Sequence, residues 1–176
     1  MKTNLPITTR EVLMDEGATI VTKTDLRGSI TYANPDFINI SGFAESELLG
    51  QNHNIVRHPD MPVEAFADMW ATLKQGKPWN GVVKNRCKNG DFYWVNAHVA
   101  PIDEDGKLVG YTSMRTKPSR EQVQAATTLY EQLKNGTATV RLEGGHAVSK
   151  SILRRLNVFR YVLDMAVSSQ LHLLMA

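Results

Sequence analysis

The chain is poor in cysteine: Cys87 is the single one in 176 residues. It therefore lacks an internal disulfide framework and a multi-cysteine metal site, which fits a reducing compartment. Net charge is equally slight. At +2, with 22% charged residues, nothing in the overall balance argues for a nucleic-acid partner. Long hydrophobic runs are missing too. The N-terminus, Met1-Lys2-Thr3-Asn4-Leu5-Pro6, has no apolar stretch behind its lysine, so no secretory signal is read there. Arg160, Asp164, Gln170 and His172 interrupt the most apolar segment, short of the ~18 uninterrupted apolar residues of a membrane helix. The expectation is a soluble, cytoplasmic protein. P-loop and G-x-G-x-x-G patterns are absent, as are the ordered triads of hydrolases, so no enzymatic signature is present.

What remains is an ordinary globular composition, 42% hydrophobic, enough for one domain with an appendage. Residues 18–24 and 29–33 read as two strands around the turn Asp25-Leu26-Arg27-Gly28. Asn34 then caps a short helix with Pro35 at its first position and Gly42 at its end, and residues 45–49 form another. Ala65, Phe66, Met69, Trp70 and Leu73 give one apolar face to a helix ending at Gly76, with Asp60 as its candidate cap. Strands at 81–87 and 92–101 are joined by Asn89-Gly90, and Asp105-Gly106 leads into a third at 108–115. Hairpins demand antiparallel pairing, so the expectation is an α+β fold with helices gathered on one side of the sheet.

Pro118 closes this domain. Ser119 and Gln122 form a capping box for a helix through Val123, Ala126, Tyr130 and Leu133. A loose Gly/Thr-rich joint leads to Ile152, Leu156, Phe159, Leu163, Ala166 and Leu173, spaced like a heptad seam. Lys150, Arg154, Arg155 and Arg160 make this tail basic, as suits a dimerising helix or a membrane-proximal flank. The expected division is a cap at 1–17, a domain at 18–117 and a helical tail at 118–176.

The segment His53-Asn54-Ile55-Val56-Arg57-His58-Pro59-Asp60-Met61-Pro62 stands out. It holds two histidines, an arginine, an asparagine and an aspartate, with prolines that restrict the backbone. Such a rim of donors suits an anionic or polar ligand. Strand alternation places Val83, Asn85 and Cys87 on one face and Lys84 and Arg86 on the other, which is expected to meet water. Asn85 then points inward and needs a partner.

Thr31-Tyr32-Ala33-Asn34-Pro35-Asp36-Phe37, Ser41-Gly42-Phe43, Glu47-Leu48-Leu49-Gly50 and Lys88-Asn89-Gly90-Asp91-Phe92-Tyr93-Trp94-Val95 together resemble a PAS sensor domain. The 53–62 segment, Ala65-Phe66-Ala67-Asp68-Met69-Trp70 and Gly76-Lys77-Pro78-Trp79 resemble a narrower group, the bacterial aerotaxis (energy-taxis) receptors. The resemblance covers residues 9–115. It implies a five-stranded antiparallel sheet with short helices on one side and a FAD-binding pocket beneath them, followed here by a C-terminal helical extension. It further implies a sensor of redox state or oxygen supply reporting to a chemotaxis-type signalling partner.

The chain departs from these receptors in lacking a clear membrane anchor and a long coiled-coil region. It reads as a sensor fragment, a truncated product or a free-standing module. The candidate FAD contacts are Asn34, His53, Asn54, Arg57, His58, Asp60, Trp70, Trp79 and Asn85. Arg57 and His58 are candidates for the pyrophosphate, Trp70 and Trp79 for a ring face, and His53, Asn54 and Asn85 for a flavin edge. Asp60 is an orienting partner or a cap, and Asn34 a cap or an amide donor. Two alternatives stand: haem held by His53 or His58, and a cofactor-free interaction module.

Overall fold

The computed structural model describes residues 3–150. By internal contact the chain divides into Met1–Ala138 with Leu142–His146, and Thr139–Arg141 with Ala147–Ala176. The heptad-like seam of the tail lies outside the described residues. Among the described residues, no helix is long and apolar enough to cross a membrane.

Five strands form one sheet: β1 (Ile20–Asp25), β2 (Ile30–Ala33), β3 (Trp79–Arg86), β4 (Phe92–Glu104) and β5 (Lys107–Thr116). Their spatial order is β2-β1-β5-β4-β3, and all neighbours are antiparallel. The helices α1 (Pro35–Ser41), α2 (Glu45–Leu48) and α3 (Val63–Leu73), with a 3-10 turn at His53–Val56, lie between β2 and β3 in sequence. Both expected caps of α1 are present. The Asn34 carboxamide oxygen accepts from Phe37 N–H, and Gly42 takes a left-handed conformation at the C-terminal end.

Helix α3 starts later than expected. It opens at Val63 behind Pro62, which makes no side-chain cap bond. Asp60 is therefore not a cap. Two prolines hold residues 59–62 outside the helix, and the Asp60 carboxylate turns instead to Lys84 Nζ at 2.7 Å.

Strand register sorts side chains onto two faces. Thr22, Ser113, Val99 and Trp79 stand in one cross-strand row, and Asn85 faces Tyr93. This face carries the larger core, with Phe37, Leu48, Val56 and Leu73 packed over it from the short helices and the 3-10 turn. The second face meets α4 (Arg120–Lys134), which the sequence assigns to the tail. Val123, Ala126, Tyr130 and Leu133 close around Trp94, and the Tyr130 hydroxyl donates to the Val82 carbonyl. The Ser119–Gln122 capping box opens α4 as expected.

Two expectations about exposure change. Arg86 does not reach water; it is buried because the N-terminal segment lies over it, its guanidinium donating to the Leu5 and Pro6 carbonyls. Lys84 is also largely covered, with Nζ 4.0 Å from the Phe92 ring centroid. The Gly/Thr-rich joint is not formless: it holds strands β6 (Val140–Glu143) and β7 (His146–Ser149) around a Gly144–Gly145 turn.

Candidate functional site

Between α3 and the sheet face that bears Thr22, Val99 and Ser113, the cleft face, lies a cleft of about 500 Å³. That is within the ~300–1,000 Å³ range of small-molecule and cofactor sites. The sheet supplies its floor through Thr22, Val99, Tyr111, Ser113, Arg115 and Asn85. Helix α3 supplies a wall of Phe66, Met69, Trp70 and Leu73, a stripe at the three- and four-residue spacing of one helix face. The 3-10 turn and the residue after it bring His53, Asn54, Val56 and Arg57.

Arg57 is held by its backbone before its side chain matters. It makes an isolated antiparallel bridge with Asn85, and its carbonyl accepts from the Asn4 carboxamide at 3.0 Å. Its guanidinium carbon lies 3.6 Å from the Phe66 ring centroid, a cation–π contact on the cleft wall. Partial burial lowers its pKa from the usual arginine value, yet the group stays cationic. Nε is buried with no hydrogen-bond partner among the described residues.

Arg115 is buried in the floor. It donates to Thr22 Oγ1 at 3.1 Å and to His53 Nε2 at 2.7 Å. A guanidinium has only donors, so Nε2 is the acceptor and the His53 proton sits on Nδ1. Burial pushes Arg115 down to about 10, so it remains charged at neutral pH. Burial, then the Arg115 charge, push His53 down to about 3, and the ring is neutral. It stacks on Phe37 with centroids 5.8 Å apart.

The lining includes Arg27, Arg57, Lys74 and Arg115, and not one carboxylate. Arg27 has a neighbour outside it, Asp25, at 3.6 Å. Ser113 Oγ, on the floor, is a second buried polar atom without a partner among the described residues. Native proteins satisfy nearly all buried polar groups, and orphaned donors beside a cationic hollow suit an acceptor-rich ligand.

Of the residues singled out in the sequence, His53, Asn54, Arg57, Trp70 and Asn85 converge on this cleft. Trp70 meets Tyr111 edge to face, with centroids 5.4 Å apart. Asn34 does not line it. Its carboxamide bonds Val21 N–H, Phe37 N–H and the Thr19 carbonyl, which leaves it occupied in joining α1 to β1.

Trp79 does not line the cleft either. It stands on the same sheet face but is tucked away, and its indole N–H donates to Asp68 at 2.7 Å. His58 and Asp60 sit apart from the cleft. His58 is buried edge-on to Phe92 and accepts from Asp60 N–H through Nδ1, which puts its proton on Nε2. Partial burial raises the Asp60 carboxyl, but Lys84, His58 and Lys134 outweigh this and hold it below the usual range.

Neither His53 nor His58 therefore offers a free imidazole lone pair to the cleft, which bears on the haem alternative. Sequence reading missed Arg115, Ser113, Thr22 and Phe66. A signal existed: Tyr111, Ser113 and Arg115 alternate along β5, so polar groups recur on the core-facing side.

Residues 30–115 match the family model described as PAS fold. The aerotaxis receptor of Escherichia coli is 47% identical over 150 residues, 85% of this chain and 30% of that protein. The nitrogen fixation regulatory protein of Klebsiella pneumoniae is 31% identical over 70% of this chain and 24% of its own length. This chain thus spans less than a third of either relative. A light-oxygen-voltage domain studied with a flavin analogue aligns at TM-score 0.54 and 24% identity, over 67% of this chain and 87% of that one. A PAS domain of a Colwellia psychrerythraea protein gives TM-score 0.53 and 22% identity, over 61% and 92%. With the sheet order and the family match in agreement, the chain belongs to the PAS-domain proteins and is a relative of the aerotaxis receptor.

Proposed function

We propose that this is a FAD-binding sensory domain that reports redox state or oxygen availability in energy taxis. One observation carries the reading: a cleft lined by four cations and no carboxylate, in which Arg57 Nε and Ser113 Oγ are buried without partners. The pyrophosphate of FAD offers the acceptors that such donors lack, and Trp70 offers a ring face beside them. Arg57 holds the pyrophosphate. Asn85, Ser113 and Arg115 meet the polar edge of the ring system. The likeness to the aerotaxis receptor supports the same assignment.

A bound flavin supplies reversible electron transfer. The chain's part is to register the change in charge. Arg115 is the group placed to do so, because it is a buried cation tied to Thr22 on β1 and to His53 on the 3-10 turn. A change in the pull on its guanidinium alters both bonds together, while His53 keeps its proton on Nδ1. The domain is a reporter rather than an enzyme. It works in the cytoplasm, passing its state to a chemotaxis-type signalling region, in a longer receptor or through a homodimer.

The test is the spectrum of the purified chain. Flavin absorbance, with FAD released on denaturation, is expected. A strong Soret band points to haem instead, and a colourless chain that takes up no FAD overturns the proposal in favour of an interaction module.

A further inference from the structure

Helix α3 works on two sides. Phe66, Met69 and Trp70 form the cleft wall, whereas Asp68 points elsewhere and gathers three N–H donors. Its carboxylate accepts from Trp79 Nε1 at 2.7 Å, from Gly144 N at 2.9 Å and from Gly145 N at 2.7 Å. All three bonds are charge-assisted, the strong kind. The turn is shaped for this seat. Gly144 and Gly145 have φ of 59° and 86°, a region that residues with a Cβ rarely adopt. A Cβ on Gly145 would overlap the Asn80 carbonyl and stand 3.3 Å from the Trp79 ring. The backbone of the turn is thus pressed against the start of β3, with Asp68 binding both amides from above.

We propose that Asp68 is a clasp that makes the position of the cleft-wall helix α3 and the seating of the Gly144–Gly145 turn a single equilibrium. A group that fixes α3 from the cleft side holds the turn in place. A pull on the turn loosens the cleft wall in return, because coupling between two sites is reciprocal. The turn thereby becomes the point at which the sensor unit is read by whatever follows it in the chain. Trp79 gains a role as well: its N–H fixes the carboxylate so that both oxygens are presented to the turn.

Hydrogen–deuterium exchange on the whole chain tests the clasp and needs no cofactor. Two variants release the turn from opposite sides. Asp68→Asn removes the charge and leaves the turn unchanged. Gly145→Ala leaves Asp68 intact and expels the turn with a methyl group. In both, exchange at Gly144 and Gly145 is expected to quicken about tenfold or more, and amides of α3 follow, while β4 and β5 keep their protection. The proposal is overturned if Gly145→Ala frees the turn but leaves α3 at wild-type exchange, for then the turn is a passenger. It is overturned equally if Asp68→Asn leaves both turn amides protected. Should Asp68→Asn lose the fold, Gly145→Ala still decides between clasp and passenger. FAD binding is followed separately by absorbance, so failure of the flavin reading does not decide this one.

Discussion

The central sheet has two faces, and they are finished differently. On the α4 face, Trp94, Val123, Ala126, Tyr130 and Leu133 close on one another, and the Tyr130 hydroxyl has its acceptor. On the cleft face Phe37 of α1 is fully buried in the larger core, yet beside that core stand Arg115 without a carboxylate and Ser113 Oγ without a partner among the described residues. The same strands build both. Each side leaves a buried donor over among the described residues, His58 Nε2 on the α4 side and Arg57 Nε and Ser113 Oγ on the other. The difference is that only the latter two belong to residues lining a cleft ringed by cations, where something outside the chain can meet them. The two histidines lie on opposite sides, His53 against the cleft with Nε2 bonded to Arg115, and His58 against Phe92.

The largest effect that separates the faces is expected from Trp94→Ala. Emptying a packed aromatic site costs about 3–5 kcal/mol. Chemical denaturation should show that loss, with FAD affinity per folded molecule unchanged. A variant as stable as the wild type would deny that the α4 face is a closed core.

Acid comes next. Burial, the first cause, and the Lys84 charge depress His58 to about 4, so the folded state favours its neutral form. The stability this contributes is complete above the unfolded histidine value of ~6.5 and is lost as pH falls from there toward 4. The slope is ~1.4 kcal/mol per pH unit for that one proton, roughly 3 kcal/mol over the window. His58→Asn should flatten the measured stability–pH curve by this amount without changing FAD affinity at neutral pH. An unchanged slope would remove His58 from the titrating groups.

On the cleft face, the expected losses fall on the ligand instead. Arg57→Ala should weaken FAD binding by ~10–100-fold, the equivalent of about 1.5–3 kcal/mol for a charge-assisted bond. Its effect on the stability of the FAD-free chain should be far smaller than that of Trp94→Ala. Ser113→Ala is the mildest change, about 0.5–1.5 kcal/mol in affinity. It should cost no stability without FAD, since the hydroxyl has no partner to lose. Equal losses in stability from both variants would erase the contrast between the faces.

Turn chemistry and periodicity carried most of the fold into the sequence. Asn89-Gly90 and Asp105-Gly106 announce the hairpins because their backbones require unusual φ, and the residues of α1 read as a cap, a first-turn proline and a glycine stop. The cleft was legible where its residues cluster in sequence, at His53, Asn54 and Arg57. It was obscure where residues distant in sequence meet only through strand register: Arg115 reaches His53 across a separation of 62 residues. Side chains with two plausible uses were hardest. Asn34, Asp60 and Trp79 carry groups suited to a ligand, and packing directs them to Val21, Lys84 and Asp68. The Gly144–Gly145 turn escaped notice because a glycine pair reads as a joint until its amides are seen to have acceptors.

The central claim is that the cleft face reads FAD through its phosphates. Titrating the flavin-free chain with FAD and with riboflavin, followed by flavin fluorescence, tests it most directly. The cationic lining predicts that FAD binds more than about tenfold tighter than riboflavin, with the preference collapsing in Arg57→Ala. Equal affinity for the two ligands, or a preference that survives the loss of Arg57, would contradict it.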